Sequence, residues 1–305
     1  MHRIRIGART SPLSAAQADF VCRLLRGQAE LRQEEIEIEF VPIVTQGDRI
    51  LDKPLNAFDG KGMFVDEFEN RLLSGDIDIA VHSAKDIPYR LREGLAILGV
   101  PAREDARDVL VLRKKEILPE HACIGTGSPR RSLQIKRLYP GAACKMLRGN
   151  VGTRIEKLLA GEYDAILLAA AGLKRLHMDG NEDIECICME PEQMVPAAGQ
   201  GIIAIEGRSV SGTDRQSGED AWLADILGAV TDEQAKLSLE AERSIVEALE
   251  AGCHEPVGVY SRIDGEIMQI LAVCERAGKI RRADCRRAVS EWRELVRDVA
   301  GQLQD

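Results

Sequence analysis

The sequence predicts an α/β protein in which sheets with crossover helices are followed by a small α+β module. Three observations carry that prediction. Strand-period and helix-period patterns alternate from residue 3 to residue 169. Two helix starts share one signature, a Ser N-cap followed by Pro, at Ser11-Pro12 and Ser128-Pro129. A polar, glycine-containing stretch at 207–220 breaks the pattern, and a different one follows.

In order, Arg3–Ile6 alternates as a strand, and Ser11-Pro12 opens an amphipathic helix over 13–26. Ile36, Ile38 and Phe40 alternate with Glu35, Glu37 and Glu39, which predicts a strand with one wet face. The segment 52–62 reads as a mobile surface loop. Phe64, Phe68 and Leu72 recur every four residues as a helix, and Ile77, Ile79 and Val81 mark a strand running into His82-Ser83-Ala84-Lys85-Asp86. Further elements follow at 95–100, 108–112, 132–139, 151–160 and 164–169. Beyond the break come a helix carrying Ala241, Ile245 and Leu249, then hairpin-like strands around 257–261 and 267–273. A terminal helix closes the chain with Val289, Trp292, Val296 and Val299 on one face.

The 305 residues suit two or three domains. Fifty acidic against 41 basic side chains give a net charge of −9, the wrong sign for a nucleic-acid binder. No apolar run reaches the ~18 residues of a membrane span, and the alternating start lacks the apolar centre of a signal peptide. The eight cysteines are scattered, with no disulfide framework. Cys186, Cys188 and His177 lack the second pair a zinc site needs, so no metal is expected. Most cysteines read as small buried hydrophobes. Cys253 differs, lying in a turn between Gly252 and His254-Glu255-Pro256.

Two stretches concentrate chemistry. Gly125–Arg131 (GTGSPRR) and Leu147–Arg154 (LRGNVGTR) set Arg130, Arg131, Arg148 and Arg154 beside helix starts. Free N–H groups at a helix N-terminus and the planar guanidinium fork both suit carboxylate or phosphate. Inside an acidic protein this predicts a cleft for a small anionic ligand. Asp86, following Lys85 at a strand end, is placed to act as an acid/base or to stabilise a cation, with Lys85 favouring its ionised form.

These residues resemble the porphobilinogen deaminase (hydroxymethylbilane synthase) family. The resemblance rests on VHSAKDIP at 81–88, GTGSPRR at 125–131, LRGNVGTR at 147–154, EYDAILLAAAGLKRL at 162–176, PAAGQG at 196–201 and AGCHEP at 251–256. RIGARTSPLSAAQA and VPIVTQGDRILDKPL are also similar. The matches run in order, dense from 3 to 206 and thinner afterwards.

The resemblance implies a transferase of tetrapyrrole (porphyrin, haem) biosynthesis. It condenses four porphobilinogen molecules head to tail with loss of ammonia onto a covalent dipyrromethane primer, then hydrolyses the product to hydroxymethylbilane. It implies three domains, the first two resembling a type II periplasmic-binding-protein pair: 1–99 plus 197–215, 100–196 and 219–305. Cys253 would carry the cofactor and Asp86 would be the catalytic carboxylate. Ser83, Lys85, Thr126, Ser128, Arg130, Arg131, Arg148 and Gly149 would bind the cofactor. Arg9, Ser11, Arg103, Arg154 and Arg175 would bind substrate. It further implies a cytoplasmic monomer, with no nucleic-acid or membrane partner. Each pyrrole ring carries an acetate and a propionate, which accounts for the arginines.

The chain departs from the family pattern at Ala251 (often Gly), Gly127 (often Ser) and Ala84 (often larger). Two rival readings share the same residues: an anion sensor without catalysis, and a thiol transferase using Cys253 with His254. The first leaves Cys253 and the Lys85-Asp86 pair unexplained. The second needs a base that turns toward sulfur, whereas strand neighbours point to opposite faces.

Overall fold

The computed structural model describes residues 1–44, 65–209, 218–251 and 255–304. They fall into two compact units, residues 1–103 with 202–237 and residues 104–201 with 238–305. The expected loop at 52–62 and Cys253 lie outside the described residues.

The first unit is built on a five-stranded sheet, β2-β1-β3-β10-β4. Its strands are β1 (His2–Arg9), β2 (Ile36–Ile43), β3 (Ile79–Ser83), β4 (Leu95–Gly99) and β10 (Ile203–Arg208). β1 is parallel to β2 and β3, whereas β10 runs antiparallel between β3 and β4. On one face, the helix Pro12–Arg32 packs Val21 and Leu25 against Ile4, Ile6, Ile79, Val81, Ile203 and Ile205. The helix Asp66–Ser74 covers a second core with Phe68, Leu72, Ile43, Ile77 and Ala80. The first helix runs six residues beyond its expected end and stops at Gln33, which adopts a left-handed backbone.

The second unit repeats this arrangement. Its strands β5 (Asp108–Arg113), β6 (Cys123–Gly125), β7 (Ala143–Lys145), β8 (Ala165–Ala169) and β9 (Ile184–Met189) form the order β7-β6-β8-β5-β9. β6 is parallel to β7 and β8, and β5 runs antiparallel between β8 and β9. In both sheets, three parallel strands are followed by one antiparallel strand drawn from a distant part of the chain. The fold is α/β with a small third sheet, the class that the sequence predicts.

That third sheet consists of β11 (Gly258–Asp264), β12 (Ile267–Arg276) and β13 (Lys279–Ala288), all antiparallel. The hairpin expectation therefore missed a strand, because β13 is an edge strand reading KIRRADCRRA, without apolar alternation. Charged edges of this kind block further strand pairing. The terminal helix spans Trp292–Gln304 and buries Leu295, Val296, Val299, Ala300 and Leu303; Val289 belongs to a preceding 3₁₀ turn. Leu271 and Val273 of β12 meet Leu133 and Val195 in a shared core. Gly258 approaches so closely that a Cβ there would sit 2.8 Å from the Val195 carbonyl. By contrast, the helix Glu219–Ala229 packs in the first unit through Leu223, Ile226 and Leu227.

The described cysteines correct one expectation. Cys274 is buried, Cys188 is exposed, and Cys22, Cys123, Cys144, Cys186 and Cys285 are half-buried. Cys22, Cys123, Cys144 and Cys186 pack at the edges of cores.

Near the start of the second unit, the Arg107 backbone and side chain donate to Asp105 (3.0, 3.0 and 2.8 Å). Those bonds hold the Asp105 carboxyl at about 2. A carboxylate held below its unfolded value of ~3.9 contributes stability that is complete above that value and is lost as pH falls toward the folded one. Asp105→Asn is expected to destabilise the protein at neutral pH. In urea titrations its deficit against the parent should shrink as pH falls from about 4 to about 2. A deficit constant across that window contradicts the linkage.

Candidate functional site

In the first unit, the chain leaves the carboxyl ends of neighbouring parallel strands at Arg9 and Ser83, the edge where open α/β sheets bind ligands. Ser11 caps the helix that follows β1, accepting from the Ser14 N–H at 3.3 Å, while the Arg9 N–H donates to Ser14 Oγ at 3.0 Å. Gln17 Nε2 donates to Ser83 Oγ at 2.9 Å. Beyond β3 a 3₁₀ turn, Ala84–Asp86, is pinned by the Ala84 N–H bonding to the Ile202 carbonyl at 3.0 Å. Ala84 is buried, which leaves Asp86 exposed and Lys85 half-buried. Arg9, Ser11, Ser83 and Asp86 line one pocket of about 80 Å³, together with Gln17, Phe68 and His82. Lys85 and Arg103 are not among its described lining residues.

In the second unit, the carboxyl ends of β6, β7 and β8 each feed a helix start. Ser128 caps the helix Pro129–Leu138, and Asn150 caps the helix Val151–Leu159 by accepting from the Thr153 N–H at 2.9 Å. Thr126 Oγ1 accepts from the Ser128 N–H at 3.1 Å, which fixes the turn. At the departure from the family pattern, a side chain on Gly127 would place its Cβ 3.0 Å from the Leu147 carbonyl. Gly149 has φ +117°, a backbone that favours glycine, and its carbonyl accepts from Arg154 Nε at 2.8 Å. Arg175 Nη2 donates to the Gly201 carbonyl at 2.7 Å, and burial lowers its pKa.

Arg130 and Arg131 are only 4% and 6% exposed, and both reach one carboxylate, Asp108, which is fully buried. Arg130 Nη1 and Nη2 lie 2.5 and 3.2 Å from its two oxygens. Arg131 contributes Nε at 2.9 Å and Nη2 at 2.7 Å. Remaining donors go to the carbonyls of Val195 (2.7 Å) and Leu167 (2.8 Å), and Gln200 Nε2 also donates to Asp108 at 3.0 Å. Burial opposes the charge on Asp108, but the two guanidiniums overcome it and drive the carboxyl far below its usual range. Burial likewise lowers Arg131.

Sequence reasoning missed Asp108. It sits in a charged run, Glu104-Asp105-Ala106-Arg107-Asp108, with no motif around it. Only the antiparallel course of β5, which pairs Asp108 with Ala169, brings its first residue to the carboxyl ends of β6 and β8. Among the described residues, two cations share this one anion, so the cluster carries an excess positive charge. That charge, the hydroxyls of Thr126 and Ser128 and the helix starts fit a ligand bearing several carboxylates.

Family models match most of the chain. One, described as porphobilinogen deaminase, dipyromethane cofactor binding domain, matches residues 4–216; another, porphobilinogen deaminase, C-terminal domain, matches 236–305. Porphobilinogen deaminase of Exiguobacterium sibiricum is 40% identical over 274 residues, covering 89% of this chain and 84% of the relative. That of an Exiguobacterium species is 40% identical over 269 residues, covering 87% and 83%. The second substrate binding domain of a putative amino acid ABC transporter from Streptococcus pneumoniae aligns with TM-score 0.45 and 12% identity, over 80% of this chain and 97% of that one.

Removing the shared carboxylate tests the arginine cluster. Breaking a buried ion pair by deleting one partner costs about 3–5 kcal/mol. Asp108→Asn, which strands two buried guanidiniums, should lose stability on that scale in urea denaturation at neutral pH. A loss below about 1 kcal/mol, the range of an exposed pair, contradicts the assignment.

Proposed function

This chain belongs to the porphobilinogen deaminase family, and from that premise we propose how its residues divide the work. The protein is a hydroxymethylbilane synthase, a transferase that condenses four porphobilinogen molecules with loss of ammonia and hydrolyses the product to hydroxymethylbilane. Its cofactor is dipyrromethane. When bound, the cofactor supplies the primer onto which substrate units add.

Arg130 and Arg131 hold cofactor carboxylates through the positive charge that Asp108 leaves uncompensated, with Thr126, Ser128, Arg148 and Gly149 at the adjoining turns. Ser83 and Lys85 are cofactor-binding residues in the same reading. Cys253 is the attachment residue in this reading, on the Gly-Cys motif at 252–253. Arg9, Ser11, Arg103, Arg154 and Arg175 bind the acetate and propionate of porphobilinogen, because guanidinium pairs with carboxylate in bidentate fashion.

Asp86 is the catalytic carboxylate. The observation that carries this role is its exposure at the end of β3, in one pocket with Arg9, Ser11 and Ser83. An exposed carboxylate there accepts hydrogen bonds from pyrrole N–H groups and stabilises positive charge on the substrate ring as ammonia leaves. It also takes up the proton released when the ring regains aromaticity.

A cytoplasmic monomer is the setting we infer, and the free thiols among the described residues suit a reducing compartment. No described helix is long and apolar enough to cross a membrane. For a division into domains at 1–99 with 197–215, 100–196 and 219–305, β10 joining the first sheet supports the return to the first domain, whereas the helix Glu219–Ala229 packs in the first unit and the C-terminal family match begins at 236.

Two variants separate anchor from catalyst. Cys253→Ser should lose the covalent dipyrrole, read as intact mass, and all turnover, whereas Cys186→Ser and Cys188→Ser keep both. Asp86→Asn should carry the cofactor yet extend it about 10²–10⁴-fold more slowly in single-turnover mass spectrometry. Near-parental extension by Asp86→Asn removes Asp86 from the chemistry.

A further inference from the structure

Behind the Asp86 pocket lies a buried polar group that the roles above leave unused. His82 of β3 lines the pocket, and its side chain is 7% exposed. Its Nε2 is 3.1 Å from Oε2 of Glu206, whose side chain is fully buried on β10. The register explains the meeting: Ala204 is opposite His82 and Glu206 is opposite Ala80, so Glu206 projects from the same face one step along. Phe68 packs edge-on against the imidazole at 4.8 Å. Among the described residues, the buried Glu206 Oε1 has no hydrogen-bond partner. A charged side chain is kept in so apolar a core only against a substantial desolvation cost.

We propose that His82, backed by Glu206, holds the proton that the Asp86 carboxylate takes up, returning Asp86 to its charged form for the next condensation. The proposal rests on the reading of Asp86 as the catalytic carboxylate. With Glu206 ionised, its oxygen accepts from Nε2–H, so the lone pair of the neutral ring is on Nδ1. The proton moves from a carboxyl oxygen of Asp86 to Nδ1: one O–H bond breaks, one N–H bond forms, and no electrons are gained or lost. The imidazolium so formed is stabilised by the Glu206 carboxylate. Arg9 and Asp86 line the same pocket as His82; on the Glu206 side the nearby charges are Glu69, on the helix Asp66–Ser74, and Arg92, whose Nε is 3.9 Å from Glu69 Oε2. Burial raises the Glu69 carboxyl, and the charge of Glu206 raises it further.

The test uses cofactor-loaded protein and the variants His82→Gln, Glu206→Gln and Asp86→Asn. Intact mass reads loading, thermal melting reads folding, and single-turnover mass spectrometry reads extension across pH. Imidazole NMR of labelled protein reads the proton directly. The expected result is that His82→Gln loads normally, slows extension by about 10-fold or more and loses the fall in rate toward acid pH. In the parent, the resonance that the His82→Gln spectrum lacks should show Nδ1 gaining a proton when substrate is added. Glu206→Gln should slow extension as well, and it decides the matter if His82→Gln does not fold. A merely structural pair predicts lower melting temperatures with the rate per folded molecule and the pH profile unchanged, which overturns the proposal. An inactive Asp86→Asn beside fully active His82→Gln and Glu206→Gln sinks only this inference, whereas an active Asp86→Asn sinks the reading beneath it.

Discussion

Asp108 is the constraint on which the second unit depends. One fully buried carboxylate neutralises one of two buried guanidiniums and leaves the charge of the other available. Three separate segments meet on it: the start of β5, the helix Pro129–Leu138, and Gln200 of the PAAGQG turn. That turn also reaches the third sheet's support, because the Gly199 N–H donates to the buried Glu242 carboxylate at 2.7 Å, and Glu242 accepts from Ser261 at 2.7 and 2.9 Å. Through Gly199 and Gln200, polar contacts therefore link Glu242, on the helix Glu233–Ala248, to the arginines. Such a network contributes position more than stability, since burying its charges offsets much of their attraction.

The two sheets solve the same problem in the same way. Parallel strands align helix starts along one edge, where N–H groups favour anions. The inserted antiparallel strand then delivers its first residues to that edge: Asp108 beside Ala169 in one sheet, Ile203 beside Ser83 in the other. In the second unit this places the anion that organises the arginines. In the first it places the Ile202 carbonyl that pins the Asp86 turn. Gly201, at φ +88°, is required on the way, since a Cβ there would lie 2.2 Å from the Glu104 carbonyl.

Local signals were legible in the sequence. Both Ser-Pro helix starts form with their caps, and alternation located the buried strands, because cap and period depend on neighbouring residues alone. Asp86, Arg9, Ser11 and Ser83 were singled out and share a pocket. Non-local features were illegible. Asp108 and Glu206 act only through strands that arrive from elsewhere, and each looks like ordinary surface charge in its own segment. β13 hid because an edge strand need not alternate. Arg130 and Arg131 read as anion ligands in a cleft, and only the structure shows how deeply they are sunk.

The central claim is that the arginine cluster keeps a positive charge which the cofactor's carboxylates satisfy. The most direct measurement compares thermal melting of cofactor-free and cofactor-loaded protein over a salt series, for the parent and for Arg131→Leu. The account predicts that loading raises the melting temperature of the parent, and that the gain persists in salt because the cluster is buried. In Arg131→Leu most of the gain should vanish. Equal melting of free and loaded parent, or an undiminished gain in Arg131→Leu, would contradict it.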